Sequence, residues 1–347
     1  MNEMIRSVKF LYQYQSRKHF PVEIVPYAGS VPALKRAMMF FPLRKKQGGR
    51  VNDEVILMVH GMTMYGNMDP RYVNLCKSLA GCGYIVVLPL FKEIRDLTID
   101  PASLDQIKSV IASITGDRGL CPRGELSLFT NSFSGGMCLL ACSDTALAGR
   151  VRSICMIGSY SSIESSMEYL MGDQRSDPYG RFIVLKNFLK YSITVPVPVT
   201  EAIDVFIRDH FYEREGRKPA LPALLKRMSP GDRYLFQRLE TSPVFRMDHW
   251  ERIKKHPAVI GMMTDFSLYR HLHKIKSSVL LIHGTDDAVI HPDESIRLYH
   301  ELRNHGVKAK LLLTPLIMAH SNLNFSLQFI EHVFELFNGL NFYFRSA

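Results

Sequence analysis

The chain has 347 residues, 46% of them hydrophobic and 22% charged, so it can bury a large core and lacks the composition of a disordered protein. No stretch approaches the roughly 20 apolar residues that span a bilayer, and the charges of Glu3, Arg6, Lys9, Arg17 and Lys18 speak against an export signal or anchor at the N-terminus. The net charge of +10 is concentrated, since the first 50 residues hold ten Lys or Arg against two Glu, and this argues against a polyanion-binding surface over the rest of the chain. No nucleic-acid partner is expected.

Residues 1–50 read as a basic leader that packs on the core through Phe10, Tyr12, Tyr14, Phe20, Phe40 and Phe41. The same mixture of basic and aromatic residues suits an anionic membrane surface, so peripheral membrane contact stays open. Six cysteines (Cys76, Cys82, Cys121, Cys138, Cys142, Cys155) form no Cys-x-x-Cys pair and lie in apolar surroundings. That pattern fits reduced, buried thiols and a cytoplasmic location.

From residue 54 onward, short Val-, Ile- and Leu-rich runs closed by turn residues predict strands at 54–59, 84–90, 126–129, 153–157, 279–283 and 308–313. Helical periodicity falls between them at 69–80, 103–114, 136–146, 292–305 and 322–340. The expected fold class is α/β, a mostly parallel sheet with helices on both faces. After Tyr160 the alternation stops, and helical spacing at 163–171, 179–191, 200–213, 221–227 and 233–239 predicts an inserted helical cap. The division is therefore a core of 51–160 and 276–347 with a cap of 161–275.

Four segments carry chemistry. In Leu126–Gly136 a strand runs into Ser132 and then a glycine pair, with the small residues Thr130 and Ser134 flanking Ser132 as a sharp strand-to-helix turn requires. Ser132 is the candidate nucleophile, on the argument that the strand ends at Phe129. Ser134, flanked by Ser132 and Gly136, is the alternative. The strand 55–59 ends in His60-Gly61-Met62, and acyl transfer needs about two backbone N–H groups aimed at an oxyanion. Met62 and Phe133 are the candidates.

The strand 279–283 leads into Gly284-Thr285-Asp286-Asp287, where a carboxylate can orient a histidine. Asp287 is assigned that role and Asp286 the capping of the turn, with the reverse left open. His320, in a loop between the last strand and the last helix, is the candidate general base. A metal site is not expected: His271 and His273 lack further ligands at suitable spacing, and Gly81 and Gly83 lack the rest of a dinucleotide fingerprint.

Together these four segments resemble the α/β-hydrolase superfamily, and within it the serine esterase and lipase-like branch. The resemblance covers residues near 52–160 and 276–347, and departs from the family where Thr130 and Ser134 stand in place of the usual glycines. It implies cofactor-free hydrolysis of a carboxylic ester through Ser132, Asp287 and His320 and an acyl-enzyme, and the methionines and aromatics of the cap, such as Met167, Met171, Phe182 and Phe188, suit a medium or long acyl chain. A thioesterase or peptidase using the same triad, and a non-catalytic interaction protein on the same scaffold, are the alternatives.

Overall fold

The computed structural model describes residues 3–43, 54–213, 216–316 and 327–347, with backbone alone at 213 and 327–331. Eight strands are formed: β1 (Val22–Tyr27), β2 (Ala37–Pro42), β3 (Val55–Val59), β4 (Ile85–Leu88), β5 (Leu126–Asn131), β6 (Val151–Ile157), β7 (Ser278–Gly284) and β8 (Ala309–Thr314). They make one open sheet in the spatial order β1-β2-β4-β3-β5-β6-β7-β8. The pairs β1/β2 and β2/β4 are antiparallel, and every other pair is parallel. The parallel strands therefore all end at one rim, where an α/β sheet of this kind places its site.

The central strands are mostly apolar because each buries two faces. Val55, Leu57 and Val59 of β3 join one core, while Ile56 and Met58 join the other, the division that a side-chain period of two imposes. The helices in chain order are α1 (Glu3–Ser16), α2 (Pro70–Gly81), α3 (Lys92–Arg95), α4 (Ala102–Gly116), α5 (Phe133–Cys142), α6 (Ile163–Gly172), α7 (Pro178–Phe188), α8 (Val197–Glu213), α9 (Leu221–Arg227), α10 (Pro230–Thr241), α11 (Pro243–Ile253), α12 (Pro257–Asp265), α13 (Asp293–Asn304) and α14 (Leu327–Ser346). Helices α1, α2 and α14 cover one face of the sheet, and α4, α5 and α13 the other. Helices α6–α12 lie between β6 and β7, and their apolar sides join the core that holds Val55, Leu57 and Val59.

Three features differ from the sequence reading. Residues 1–50, expected as a leader resting on the core, supply β1 and β2 of the sheet itself. Strand β5 continues through Thr130 to Asn131 rather than ending at Phe129, so the register argument offered for Ser132 does not hold as stated. Helices α11 and α12 were not anticipated, although each opens with a capping side chain followed by Pro: Ser242 accepts from the Phe245 N–H and precedes Pro243, and His256 accepts from the Ala258 N–H and precedes Pro257. All six cysteines are buried and unpaired.

Candidate active site

What selects Ser132 is backbone conformation. It stands between β5 and α5 with φ 58° and ψ −137°, a region that costs a non-glycine residue about 1–3 kcal/mol and persists only where the surroundings impose it. They do so here through two hydrogen bonds: the Ser132 N–H donates to the Ile157 carbonyl (2.7 Å), and the Gly135 N–H donates to the Ser132 carbonyl (3.0 Å). The glycine pair serves close packing rather than an unusual φ. A Cβ at Gly135 would lie 2.5 Å from Ser159 Oγ, and one at Gly136 would lie 2.2 Å from Tyr160 Cζ. Ser134 sits inside α5, wholly buried, and its hydroxyl donates to the His60 carbonyl.

The His60-Gly61-Met62 turn after β3 is pressed against Ser132. A Cβ at Gly61 would lie 2.8 Å from Tyr72 Oη and 3.2 Å from Ser132 Cβ, so only glycine lets the two turns approach this closely. Tyr72 Oη accepts from the Gly61 N–H (2.8 Å) and from Asn131 Nδ2 (3.2 Å), tying the ends of β3 and β5 together. His60 is entirely buried. Its Nε2 accepts from the Phe91 N–H (3.2 Å), which leaves Nδ1 to donate to the Gly61 carbonyl (3.0 Å). Burial lowers its pKa to about 4, so the ring is neutral at physiological pH and acts as a brace.

Asp287 lies just past β7, with one carboxylate oxygen accepting from the Val289 N–H (2.8 Å) and the Ile290 N–H (3.1 Å). The other is 3.6 Å from His283 Nε2 and faces Gly158, whose own positive φ (59°) and missing side chain leave room for it. Burial raises the Asp287 pKa and lowers that of His283, with each ring or carboxylate partly offsetting the effect on its neighbour. His283 is bonded on both sides, to Ser295 Oγ (2.6 Å) through Nδ1 and to the Ile290 carbonyl (2.8 Å) through Nε2. Asp286, by contrast, is exposed. His320 lies outside the described residues; β8, which ends at Thr314, pairs with β7 as far as Gly284 at this same rim.

A cavity of about 80 Å³ opens above Ser132. Met62, Ser132 and Phe133 form its floor, and Val289 and Ile290, which bond Asp287, form one wall. The rest comes mainly from α6 and α7, including Ile163, Met167, Leu170 and Ile183. Phe133 is the first residue of α5, so its N–H has no acceptor within the helix and points toward the helix N-terminus. The described structure thus brings together Ser132, Met62, Phe133 and the loop of Asp287, and leaves Ser134 and Asp286 apart from them.

Sequence reasoning did not find Glu294. It is 2% exposed and accepts from the Ser161 N–H (2.8 Å), the Ser162 N–H (2.9 Å), the hydroxyls of Ser161 and Ser165, and Arg297. This cluster ties α13, which follows the Asp287 loop, to the start of the segment between β6 and β7. Burial raises the Glu294 pKa, but the hydrogen bonds from Ser161, Ser165 and Ser162 outweigh it and the net direction is down.

The same architecture occurs in solved structures. A candidate hydrolase from Legionella pneumophila superposes with a TM-score of 0.58 at 14% identity, over 99% of this chain and 94% of that one. The chain has the α/β-hydrolase fold. An inhibited form of esterase B from Lactobacillus rhamnosis gives a TM-score of 0.50 at 12% identity, covering 97% and 96% of the two chains. An acylaminoacyl peptidase from Pyrococcus horikoshii gives 0.48 at 14% identity over 87% of this chain, which spans only 38% of the peptidase. A model of the prolyl oligopeptidase family matches residues 234–331. No curated protein matches the chain in sequence.

Proposed function

We propose that the protein is a serine hydrolase acting on a carboxylic ester through Ser132, His320 and Asp287. The observation that carries this reading is the forced conformation of Ser132, a non-glycine residue at φ 58° on the floor of an apolar cavity between two backbone turns. His320 takes the hydroxyl proton as the Ser132 oxygen attacks the acyl carbon, and the N–H groups of Met62 and Phe133 stabilise the oxyanion. The imidazole then returns the proton to the leaving alcohol, and water releases the acyl group from Ser132 by the same path. Asp287 fixes the imidazole tautomer. Because burial disfavours the isolated carboxylate, its interaction with the imidazolium formed during attack is correspondingly strong.

The helices between β6 and β7 act as the cap that sets acyl specificity. The cavity above Ser132 is lined almost wholly by apolar side chains, which suits a medium or long acyl chain. Turnover across nitrophenyl esters of increasing chain length should rise from short to medium or long chains; equal turnover at all lengths would contradict the assignment of the cavity. The second reading is a peptidase, favoured by the match of residues 234–331 to the prolyl oligopeptidase family. Faster cleavage of peptidyl anilides than of esters would establish it.

A further inference from the structure

Helix α1 is amphipathic in the reverse sense. Its inward face carries Arg6, Ser7 and Gln13 beside Phe10, all buried, whereas Met4 (50%), Ile5 (49%), Val8 (57%) and Tyr12 (56%) are exposed. At 3.6 residues per turn these four fall within an arc of roughly 100° on one side of the helix. The polar groups are used for attachment. Arg6 donates to Tyr84 Oη (2.7 Å) and pairs with Glu54 (2.8 Å), while Gln13 donates to the Ser78 carbonyl (3.3 Å) and accepts from the Phe20 N–H (2.8 Å). An ordinary surface helix would turn the aliphatic residues inward and the arginine and glutamine outward.

The charge that α1 and the residues just after it carry is mostly positive. Between residues 3 and 20 the acidic residue is Glu3, while Lys9, Arg17 and Lys18 lie beside or beyond the apolar arc, and Arg6 is already neutralised by Glu54. Phe20 is exposed as well, with the Lys9 ammonium 5.0 Å from its ring centre. A second copy of the chain is a poor occupant, because a two-fold contact would set these cations against their own copies. Four side chains on one helix are also few for a stable protein interface, which needs about 1,000 Å². Aliphatic residues on an arc, the aromatics Tyr12 and Phe20 toward its C-terminal side and cations at the margin suit shallow burial at a lipid headgroup boundary. No described helix is long and apolar enough to cross a membrane.

We infer that α1 is a membrane-docking helix that lies in the surface of an anionic bilayer, with Met4, Ile5, Val8 and Tyr12 toward the acyl chains and Lys9, Arg17 and Lys18 toward the headgroups. The test is co-sedimentation of the full chain with vesicles of phosphatidylcholine, with and without phosphatidylserine, at low and high salt. The protein should pellet with the anionic vesicles at low salt and be released by salt. Replacing Met4, Ile5, Val8 and Tyr12 together by Gln, which keeps helix propensity, should weaken binding at least about tenfold. The set Lys9→Gln, Arg17→Gln and Lys18→Gln should remove the preference for phosphatidylserine. Unchanged thermal melting of both variants shows that the fold is retained, as the exposure of these side chains leads one to expect. Absence of pelleting, equal pelleting on neutral vesicles, or pelleting indifferent to both variants would overturn the inference, as would a dimer in solution that the Gln set dissolves.

Discussion

The turn that carries Ser132 and the loop that carries Asp287 reach the same rim of the sheet, but the first is held by backbone and the absence of side chains, the second by side chains bonding across the chain. At the first, Gly61, Gly135 and Gly136 permit contacts that any Cβ would block, and two main-chain hydrogen bonds keep Ser132 in its conformation. At the second, His283, Ser295 and Glu294 bridge to the loop and to residues 161–165, more than 120 positions away in sequence. Steric requirements leave a local mark in a sequence, and long-range hydrogen bonds do not. A region held in the first way should fail abruptly on small substitutions, and one held in the second should weaken with pH.

The largest expected effect separates the two aspartates. Asp287→Asn should lower ester turnover on the order of 10³-fold to 10⁴-fold by upsetting the tautomer of the general base, with little change in substrate binding. Asp286→Asn, at an exposed position, should change stability by no more than about 0.5 kcal/mol and leave kcat near wild type. Steady-state kinetics on both variants decides the assignment, and an inverted result would move the orienting carboxylate by one residue.

Gly136→Ala tests the steric half of the comparison. Its Cβ would meet the Tyr160 ring at 2.2 Å, inside a fully packed core, so a loss of about 3 kcal/mol or more is expected in denaturant melts. Melting indistinguishable from wild type would mean that this region yields more easily than its packing implies.

His60 gives the backbone-held region a pH dependence of its own. Its folded pKa is about 4 against an ordinary 6.5, so between these values the unfolded chain takes up a proton that the folded chain refuses. Stability should therefore fall as pH drops through that window, by roughly 3 kcal/mol in total. In His60→Gln the loss between pH 7 and 4 should shrink by that amount, although the variant is less stable at neutral pH; melting midpoints across the window measure it.

Glu294 has the opposite kind of linkage. Its folded pKa is lowered, so its contribution is complete above the ordinary glutamate pKa and is lost as pH falls through the lower folded value. Glu294→Gln should cost about 2 kcal/mol at neutral pH and little once the pH is below the lowered folded value, because the wild type has by then lost the same charge-assisted bonds. An equal cost at both pH values would assign the effect to packing.

The same contrast explains what could be read in advance. The parallel strands β3 to β8 were legible because burial leaves short runs rich in Val, Ile and Leu. Strands β1 and β2 were not: β1 is an edge strand with Pro26 inside it and half of its residues exposed, and β2 is flanked by basic residues that read as a leader. The sharp turn at Ser132 was legible from its small neighbours, although the strand runs on to Asn131 and the unusual dihedral angle left no mark in the sequence. Glu294 was not, since nothing near it in sequence announces partners at Ser161 and Ser165. His320 was placed by its position after the last strand, and lies outside the described residues.

The central claim is that the reactive oxygen belongs to Ser132, and the most direct measurement is labelling with a fluorophosphonate followed by mass mapping of the modified peptide. The adduct is expected on Ser132, absent from Ser132→Ala and retained in Ser134→Ala. An adduct on Ser134, or no adduct on a chain that melts cooperatively, would contradict it.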